Sequence, residues 1–464
     1  MNFKQLRNVY FLGIGGIGMS AIARWFNVNG YRVAGYDRTP TPLTDALQAE
    51  GIAVHFEDDV RRIPAEFLAH RDATLVVRTP AVPADHQEWN FLEREGFQIM
   101  KRSQVLGLLA ESMYLIAVAG THGKTTTSSM VAHVLRHAGR NCTAFLGGIT
   151  QNYGTNFLLN DETADLRSVL CVVEADEFDR SFLTLFPDVA IVTSTDADHL
   201  DIYGDGEHVL ESFGRFVGQI KSGGKLFMRR GLTLADKTSA EVHDYGLDEG
   251  EYRAENVRIA DARFVFDIRH PEGVCEGVAL QIPGFHNAEN ATAAFAACRA
   301  VGLSPAEIRG GLNSYRGVKR RFEYHVRRPD LVYIDDYAHH PTEISAFLKS
   351  VRALYPGRKL TAIFQPHLFS RTRDFLDGFA EALSEADELA LLDIYPAREQ
   401  PIPGVTAALL LNKIRISDKL LQKKEQVVDW LRDKPLDVLV TIGAGDIDQL
   451  VGPIRERLEA RKPG

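Results

Sequence analysis

The feature that most constrains this chain is the repeated alternation of short apolar runs with longer amphipathic stretches. Each apolar run has the length of a buried strand and each amphipathic stretch that of a covering helix, the pattern of parallel sheets shielded on both faces. It predicts an α/β fold. A first block runs from Asn8-Val-Tyr-Phe-Leu12 through Tyr31-Arg-Val-Ala-Gly-Tyr36 and Ala73-Thr-Leu-Val-Val77 to a helix around Gln104–Ala110. A second opens with Tyr114-Leu-Ile-Ala-Val-Ala119 and continues through Ser168–Val173 and Val189–Thr193. Between Tyr252 and Arg269 apolar and polar residues alternate singly, which predicts a small antiparallel side sheet. A third block follows Gly317-Val-Lys-Arg-Arg-Phe322, with strand candidates Leu331–Ile334, Leu360–Phe364, Glu388–Leu392 and Val438–Ile442. The 464 residues exceed what one hydrophobic core usually organises. The expectation is therefore three domains in series: an N-terminal Rossmann-like domain over 1–107, a central P-loop ATPase-like domain over 108–316, and a C-terminal Rossmann-like domain over 317–464.

Charge and cysteine content narrow the function classes. Lys and Arg number 53 against 62 Asp and Glu, and the net charge of -9 has the wrong sign for neutralising nucleic-acid phosphates. No apolar run is long enough to span a bilayer. The expectation is a cytoplasmic protein without nucleic-acid or membrane partners, a monomer or weak homo-oligomer acting on small molecules. Cys142, Cys171, Cys275 and Cys298 have no C-x-x-C spacing and lie in apolar or small-residue stretches, which predicts buried free thiols. Lys419–Asp433, the most charge-dense stretch, has the spacing of an exposed helix.

Two glycine-rich loops carry the chemistry. Gly13-Ile-Gly15-Gly16-Ile17-Gly18 follows the first strand and opens a helix, so its backbone can approach a diphosphate at free helix-start amides. Asp37 ends the second strand, where an acid accepts hydrogen bonds from ribose hydroxyls. These residues suit a nicotinamide dinucleotide or a UDP-sugar equally. Gly120-Thr121-His122-Gly123-Lys124-Thr125-Thr126, after the strand that opens the second block, is a shortened loop for the phosphates of ATP. Its amides form an anion nest, Lys124 supplies charge, and the Thr125 hydroxyl can ligate magnesium. The next buried strand ends in Glu174-Ala-Asp176-Glu177, where Glu174 is the chosen metal ligand. His199, in Asp198-His199 after a further strand, is a metal or substrate contact. A diphosphate site followed by a triphosphate site predicts a nucleotide-tagged substrate activated by ATP. A dinucleotide-dependent oxidoreductase and a partner-binding P-loop ATPase are the alternatives from other classes.

With these loops in place, the chain resembles the Mur ligases, ATP-dependent enzymes of peptidoglycan precursor synthesis. The carriers of the resemblance are the Gly120–Thr126 loop, Glu174, Asp198-His199, Gly284-Phe-His-Asn287-Ala-Glu-Asn290, Arg320-Arg321-Phe322 and Asp335-Asp336-Tyr-Ala-His339-His340-Pro341, in the family's order. Phe364-Gln-Pro-His367 with Ser370-Arg371 is similar to the branch that joins L-alanine to the lactyl carboxylate of UDP-N-acetylmuramate through an acyl phosphate. A sibling branch attaching a recycled murein tripeptide to the same sugar nucleotide is the closest alternative. The resemblance implies that Gly15, Gly16, Ile17, Gly18 and Asp37 hold the UDP moiety. It implies that Gly120 to Thr126, Asn290, Arg321 and Asp336 hold ATP, and that Thr125, Glu174 and His199 hold Mg2+, with two ions expected. Lys124, His199, Arg321 and His339 are the implied catalytic residues, and His339, His367 and Arg371 the implied positioners of L-alanine or muramate. Adjacent His339 and His340 also raise a zinc reading with His367, but neighbours on an extended segment point opposite ways. By the same alternation, only one of Asp335 and Asp336 is expected to face the site, with the other capping the following helix.

Overall fold

The computed structural model describes residues 3–161, 165–196, 206–260, 263–397 and 399–461. They fall into two compact units, residues 1–252 with 291–311, and residues 253–290 with 312–464.

The first unit opens with a parallel sheet of β1 (Asn8–Leu12), β2 (Arg32–Tyr36), β3 (Ala53–His55), β4 (Thr74–Arg78) and β5 (Gln98–Lys101). Its order is β3-β2-β1-β4-β5. β1 is buried throughout because strands flank it on both sides and helices cover both faces. The order reverses at β1, and in such sheets ligands bind at the carboxyl end of the strand where the reversal occurs. Gly13 to Gly18 occupy that end.

The same unit carries β6 (Tyr114–Ala119), β7 (Cys142–Phe145), β8 (Phe157–Leu158), β9 (Leu170–Glu174), β10 (Val189–Val192), β11 (Lys225–Arg229) and β12 (Glu241–Leu247), ordered β12-β11-β10-β6-β9-β7-β8. β6 lies parallel between β10 and β9, another reversal, and Gly120 begins its exit loop. One continuous apolar cluster joins side chains from β1 and β4 to others from β6, β9 and β10. The helix Arg102–Glu111 connects the two sheets in sequence, and a Cβ on Gly107 would come within 2.5 Å of the Thr184 carbonyl oxygen. All four cysteines are buried free thiols.

In the second unit, β13 (Tyr252–Ala260), β14 (Arg263–His270) and β15 (Gly273–Leu280) form the antiparallel ladder that single-residue alternation predicts. Phe264, Phe266 and Ile268 of β14 are fully buried while their neighbours are not. The third sheet comprises β16 (Glu323–Arg327), β17 (Val332–Asp336), β18 (Leu360–Phe364), β19 (Glu388–Leu391), β20 (Asp418–Leu421) and β21 (Val438–Ile442). Its order is β16-β17-β21-β18-β19-β20, parallel except for β16.

The charge-dense stretch differs from expectation. Lys419–Asp433 is not one exposed helix: β20 occupies its start, and only Val427–Trp430 is α-helical. Val427 and Leu431 do sit on the core as a helical pattern requires, but Leu420 is drawn into the sheet edge by pairing with β19. No helix among the described residues is long and apolar enough to cross a membrane.

Candidate functional site

The first glycine loop is shaped by close approaches. Gly13 has φ +86°, and a Cβ there would lie 2.5 Å from Thr79 Cγ2. A Cβ on Gly15 would meet Thr44 Cγ2 at 2.7 Å and Asp37 Oδ2 at 2.8 Å. Asp37 accepts the Gly15 amide through Oδ2 at 2.7 Å and the Thr39 amide through Oδ1 at 3.2 Å, so this carboxylate fixes the loop. The helix Ile17–Val28 begins at Gly16 without a side-chain cap, which leaves first-turn amides for an anion. The Ile17 carbonyl accepts a hydrogen bond from Asn156, whose Oδ1 accepts from Arg24 at 2.7 Å. Arg102 crosses the helix start: a Cβ on Gly18 would lie 2.8 Å from its Nη1, and its Nη2 is 3.9 Å from Asp176.

The second loop leaves β6 at Gly120, where φ is +135° and a Cβ would stand 2.0 Å from Thr193 Oγ1. Gly123 caps the helix Lys124–His137 in the left-handed conformation, φ +80°. Thr121 and His122 serve as anchors. Thr121 Oγ1 bonds Ser194 Oγ at 2.8 Å and accepts the Asp196 amide at 3.1 Å, while the His122 amide donates to Ser194 Oγ at 2.8 Å. His122 Nε2 lies 3.2 Å from Asp196 Oδ2.

Lys124 Nζ donates to the Gly120 carbonyl at 2.6 Å and pairs with Glu177 at 2.7 Å. Burial alone would lower its pKa, but Glu177, Asp176 and Glu174 outweigh that and raise it above the ordinary lysine value. Lys124 therefore stays cationic. Thr125 Oγ1 donates to Glu174 Oε1 at 3.0 Å, and Glu174 Oε2 accepts the Gly147 amide at 2.9 Å. A hydroxyl beside a carboxylate at the loop exit is an oxygen donor set that suits Mg2+. Thr126 is buried in the first turn. His199 and Asp198 lie outside the described residues. Sequence reasoning missed Glu177 as the partner of Lys124, and the available signal was the run of three carboxylates, Glu174, Asp176 and Glu177, at the exit of β9.

In the second unit, Asp335 and Asp336 alternate on β17 as expected. Asp335 accepts from Thr441 Oγ1 at 2.6 Å and pairs with Arg320 at 3.2 Å. Asp336 accepts the amides of Phe322 and Ala338, each at 2.8 Å. Burial pushes the Asp336 carboxyl up to about 6, against the opposing charge of Arg321 and those two amides. Neither aspartate caps the helix Pro341–Leu354: His340 does, accepting the Thr342 amide, and Glu343 completes the capping box. His340 faces Phe375 at 4.6 Å between ring centroids, whereas His339 faces Tyr337 at 5.4 Å and His367 at 6.3 Å. The divergence of the two rings removes the zinc reading.

Arg320 and Arg321 flank the Tyr337 ring at 5.2 and 5.0 Å. His286 is depressed to about 4 by burial, with Arg321 acting the same way and Glu343 opposing. Asn290 donates to Asn287 Oδ1 at 3.4 Å, within the helix Phe285–Ala300. His367 is stacked on Tyr395 at 5.8 Å, and buried Arg371 lies 3.4 Å from its Nδ1. Leu368 adopts φ +70°, an uncommon conformation for its residue type, and its amide donates to the Tyr395 carbonyl at 2.9 Å. His339, His367 and Arg371 thus gather with Tyr337, Glu343 and Tyr395, three residues that sequence reasoning did not assign to the site.

Three family models match consecutive stretches of the chain: "Mur ligase family, catalytic domain" over residues 8–114, "Mur ligase middle domain" over 118–298, and "Mur ligase, glutamate ligase domain" over 320–445. A UDP-N-acetylmuramate--L-alanine ligase of Cytophaga hutchinsonii is 48% identical over 463 residues, covering 99% of each chain. Among solved structures, a UDP-N-acetylmuramate-alanine ligase from Thermotoga maritima is similar with a TM-score of 0.82 and 28% identity, over 98% of this chain and 100% of that one. A murein peptide ligase from Psychrobacter arcticus has a TM-score of 0.70 at 24% identity, over 99% of this chain and 100% of that one, and shares the fold.

Proposed function

The chain belongs to the Mur ligase family, and from that premise we propose that it joins L-alanine to the lactyl carboxylate of UDP-N-acetylmuramate, driven by ATP. The observation that carries an ATP-driven reaction on a nucleotide-tagged substrate is the pairing, within one unit, of a diphosphate loop without a lysine and a triphosphate loop built on Lys124. The choice of alanine is supported by near full-length likeness to the Cytophaga hutchinsonii ligase. A reaction on these small molecules belongs in the cytoplasm.

A carboxylate is a poor acceptor for an amine until it gains a leaving group. The lactyl carboxylate accepts the terminal phosphoryl group of ATP and becomes an acyl phosphate, and the alanine nitrogen then displaces phosphate. For the first step the chain supplies positioning and charge. Lys124, cationic and held by the Gly120 carbonyl, faces the phosphates. Thr125, Glu174 and His199 would hold Mg2+, two ions in the full complex, which when bound neutralises phosphate charge. Gly15, Gly16, Ile17 and Gly18 present the helix start to the UDP diphosphate, with Asp37 bracing the loop. Asn290, Arg321 and Asp336 are assigned to the nucleotide on the family's pattern alone. For the second step His339, His367 and Arg371 position the amino acid.

The test is phosphate release from ATP and Mg2+ with UDP-N-acetylmuramate, comparing L-alanine, L-Ala-D-Glu-diaminopimelate and no acceptor. Release that requires both sugar nucleotide and L-alanine is expected. Release only with the tripeptide would overturn the choice of alanine.

A further inference from the structure

The two glycine loops stand on different sheets of the first unit, and one continuous apolar cluster joins those sheets. Apolar contact has no direction, so by itself it leaves the register of one loop against the other loosely set. A buried polar network supplies the direction. Asn156, fully buried at the end of the loop between β7 and β8, donates through Nδ2 to the Ile17 carbonyl and, at 3.2 Å, to Ser20 Oγ. Its Oδ1 accepts from Arg24 Nη1 at 2.7 Å. All three partners lie on the helix Ile17–Val28, which the first glycine loop opens. The network is closed on that side, because Ser20 Oγ donates to the Ile17 carbonyl at 2.9 Å and Glu50 takes the Arg24 Nε at 2.8 Å and Nη2 at 2.8 Å.

The other end of the same loop is fixed to the second glycine loop. The Leu146 amide donates to the Asn156 carbonyl at 3.0 Å and the Thr150 amide to the Thr155 carbonyl at 2.9 Å, so the segment between them is braced from within. Next to Leu146, the Gly147 amide donates to Glu174 Oε2 at 2.9 Å, and a Cβ on Gly147 would stand 2.2 Å from that oxygen. Glu174 Oε1 in turn accepts from Thr125. Directional contacts therefore run without a break from the helix start at Ile17 through Asn156 and Gly147 to Thr125.

We infer that Asn156 is a positioning residue: it sets the register between the helix start assigned to the UDP diphosphate and the Thr125–Glu174 pair assigned to the metal, and so aligns the lactyl carboxylate with the terminal phosphoryl group. The inference rests on the reading of the chain as an ATP-driven ligase of a UDP-sugar. Asn156 acts through Ile17 on one side and Gly147 on the other. Phosphoryl transfer depends steeply on how two bound reactants are aligned, whereas each nucleotide binds to its own loop. Loss of the tie therefore slows the joint reaction and spares the separate binding steps.

The experiment compares the full-length wild type with Asn156→Asp, Asn156→Ala and Glu50→Gln. Asn156→Asp keeps the shape and the acceptor towards Arg24, whose charge holds the new carboxyl ionised, but sets an acceptor against the Ile17 carbonyl. Asn156→Ala removes the tie outright, while Arg24 keeps Glu50 and the Ile17 carbonyl keeps Ser20. Glu50→Gln weakens the hold on Arg24 without touching Asn156. Both Asn156 variants are expected to lower the single-turnover rate of phosphate release from ATP and Mg2+, with saturating UDP-N-acetylmuramate and L-alanine, by about 10²-fold. The melting-temperature shifts given by UDP alone and by ATP with Mg2+ alone stay at wild-type size, and Glu50→Gln keeps the wild-type rate. A wild-type rate in Asn156→Asp, a raised KM for UDP-N-acetylmuramate with the rate intact, or an equal loss in Glu50→Gln overturns the inference. Should Asn156→Ala not fold, the isosteric Asn156→Asp decides alone. Failure of the ligase reading shows separately, because wild type would then release no phosphate with UDP-N-acetylmuramate and L-alanine.

Discussion

The two glycine loops of the first unit share one backbone device, which the proposed function assigns to different anions. Each leaves the carboxyl end of a buried parallel strand at a reversal of strand order and starts a helix without a side-chain cap. They differ in where their charge resides. In the first loop a carboxylate, Asp37, grips the Gly15 amide, and the loop itself has no cation. In the second loop a buried cation, Lys124, is held against Glu177 while Thr125 is held against Glu174. The supporting strands differ as well. β6 is apolar from Leu115 onward, but β1 carries buried Tyr10, whose hydroxyl donates to Glu88 Oε2 at 2.7 Å and lies 2.8 Å from His55 Nε2. A diphosphate held in place needs only backbone amides and shape, whereas a phosphoryl group in transfer needs fixed charge where charge develops.

The sharpest break in the comparison is Lys124→Ala. Phosphate release is expected to fall by about 10³-fold, while the melting-temperature shift with UDP persists; loss of the UDP shift too would mean the loops are not independent. The same change leaves Glu177 buried without its lysine and destabilises by about 3–5 kcal/mol, so adding Glu177→Gln should recover thermal stability without activity. Next in size, Glu174→Gln removes the carboxylate from Thr125 and is expected to raise the Mg2+ concentration for half-maximal activity at least about tenfold. An unchanged Mg2+ titration would remove Glu174 from the metal set. On the other loop, Gly15→Ala forces a Cβ against Thr44 and Asp37. It should raise KM for UDP-N-acetylmuramate by about tenfold or more and leave KM for ATP alone. Equal effects on both substrates would contradict the division of labour.

The smallest effect concerns pH. Burial pushes Glu88 up to about 7, well above the ordinary glutamate value, against the hydrogen bond from Tyr10. Between about pH 4.5 and 7 the folded chain therefore holds a proton that the unfolded chain has released, and stability falls as pH rises through that window. Glu88→Gln fixes the neutral form. Its melting temperature should exceed that of wild type more at pH 8 than at pH 5, and an equal difference at both pH values would mean that Glu88 is ionised throughout.

Much of this was legible in the sequence because it rests on local periodicity. β1, β6 and β21 and both loops were readable as apolar runs followed by glycine, and β10 and β18 as apolar runs. Short edge strands such as β3, β8 and β20 were not, since two to four residues carry no usable period and pair only because a neighbouring strand is already in place. The candidate site divides likewise. Lys124, Thr125, Glu174, His339, His367 and Arg371 belong to contiguous motifs. Their partners come from elsewhere in the chain or, where nearby, gain their role from geometry: Glu177 is 53 residues from Lys124, and Tyr395 reaches His367 across the β18–β19 edge.

By itself the sequence determined the fold class, the presence and order of two glycine loops, and the family, because these depend on which residue types follow one another along a strand, a turn and a helix start. Only the tertiary structure decided which carboxylate neutralises Lys124, that Asp37 braces Gly15, and that His340 rather than an aspartate caps its helix. Those outcomes are set by distances of about 3 Å between side chains and by the exclusion of water around them. Neither is written in the order of residues until the chain has folded.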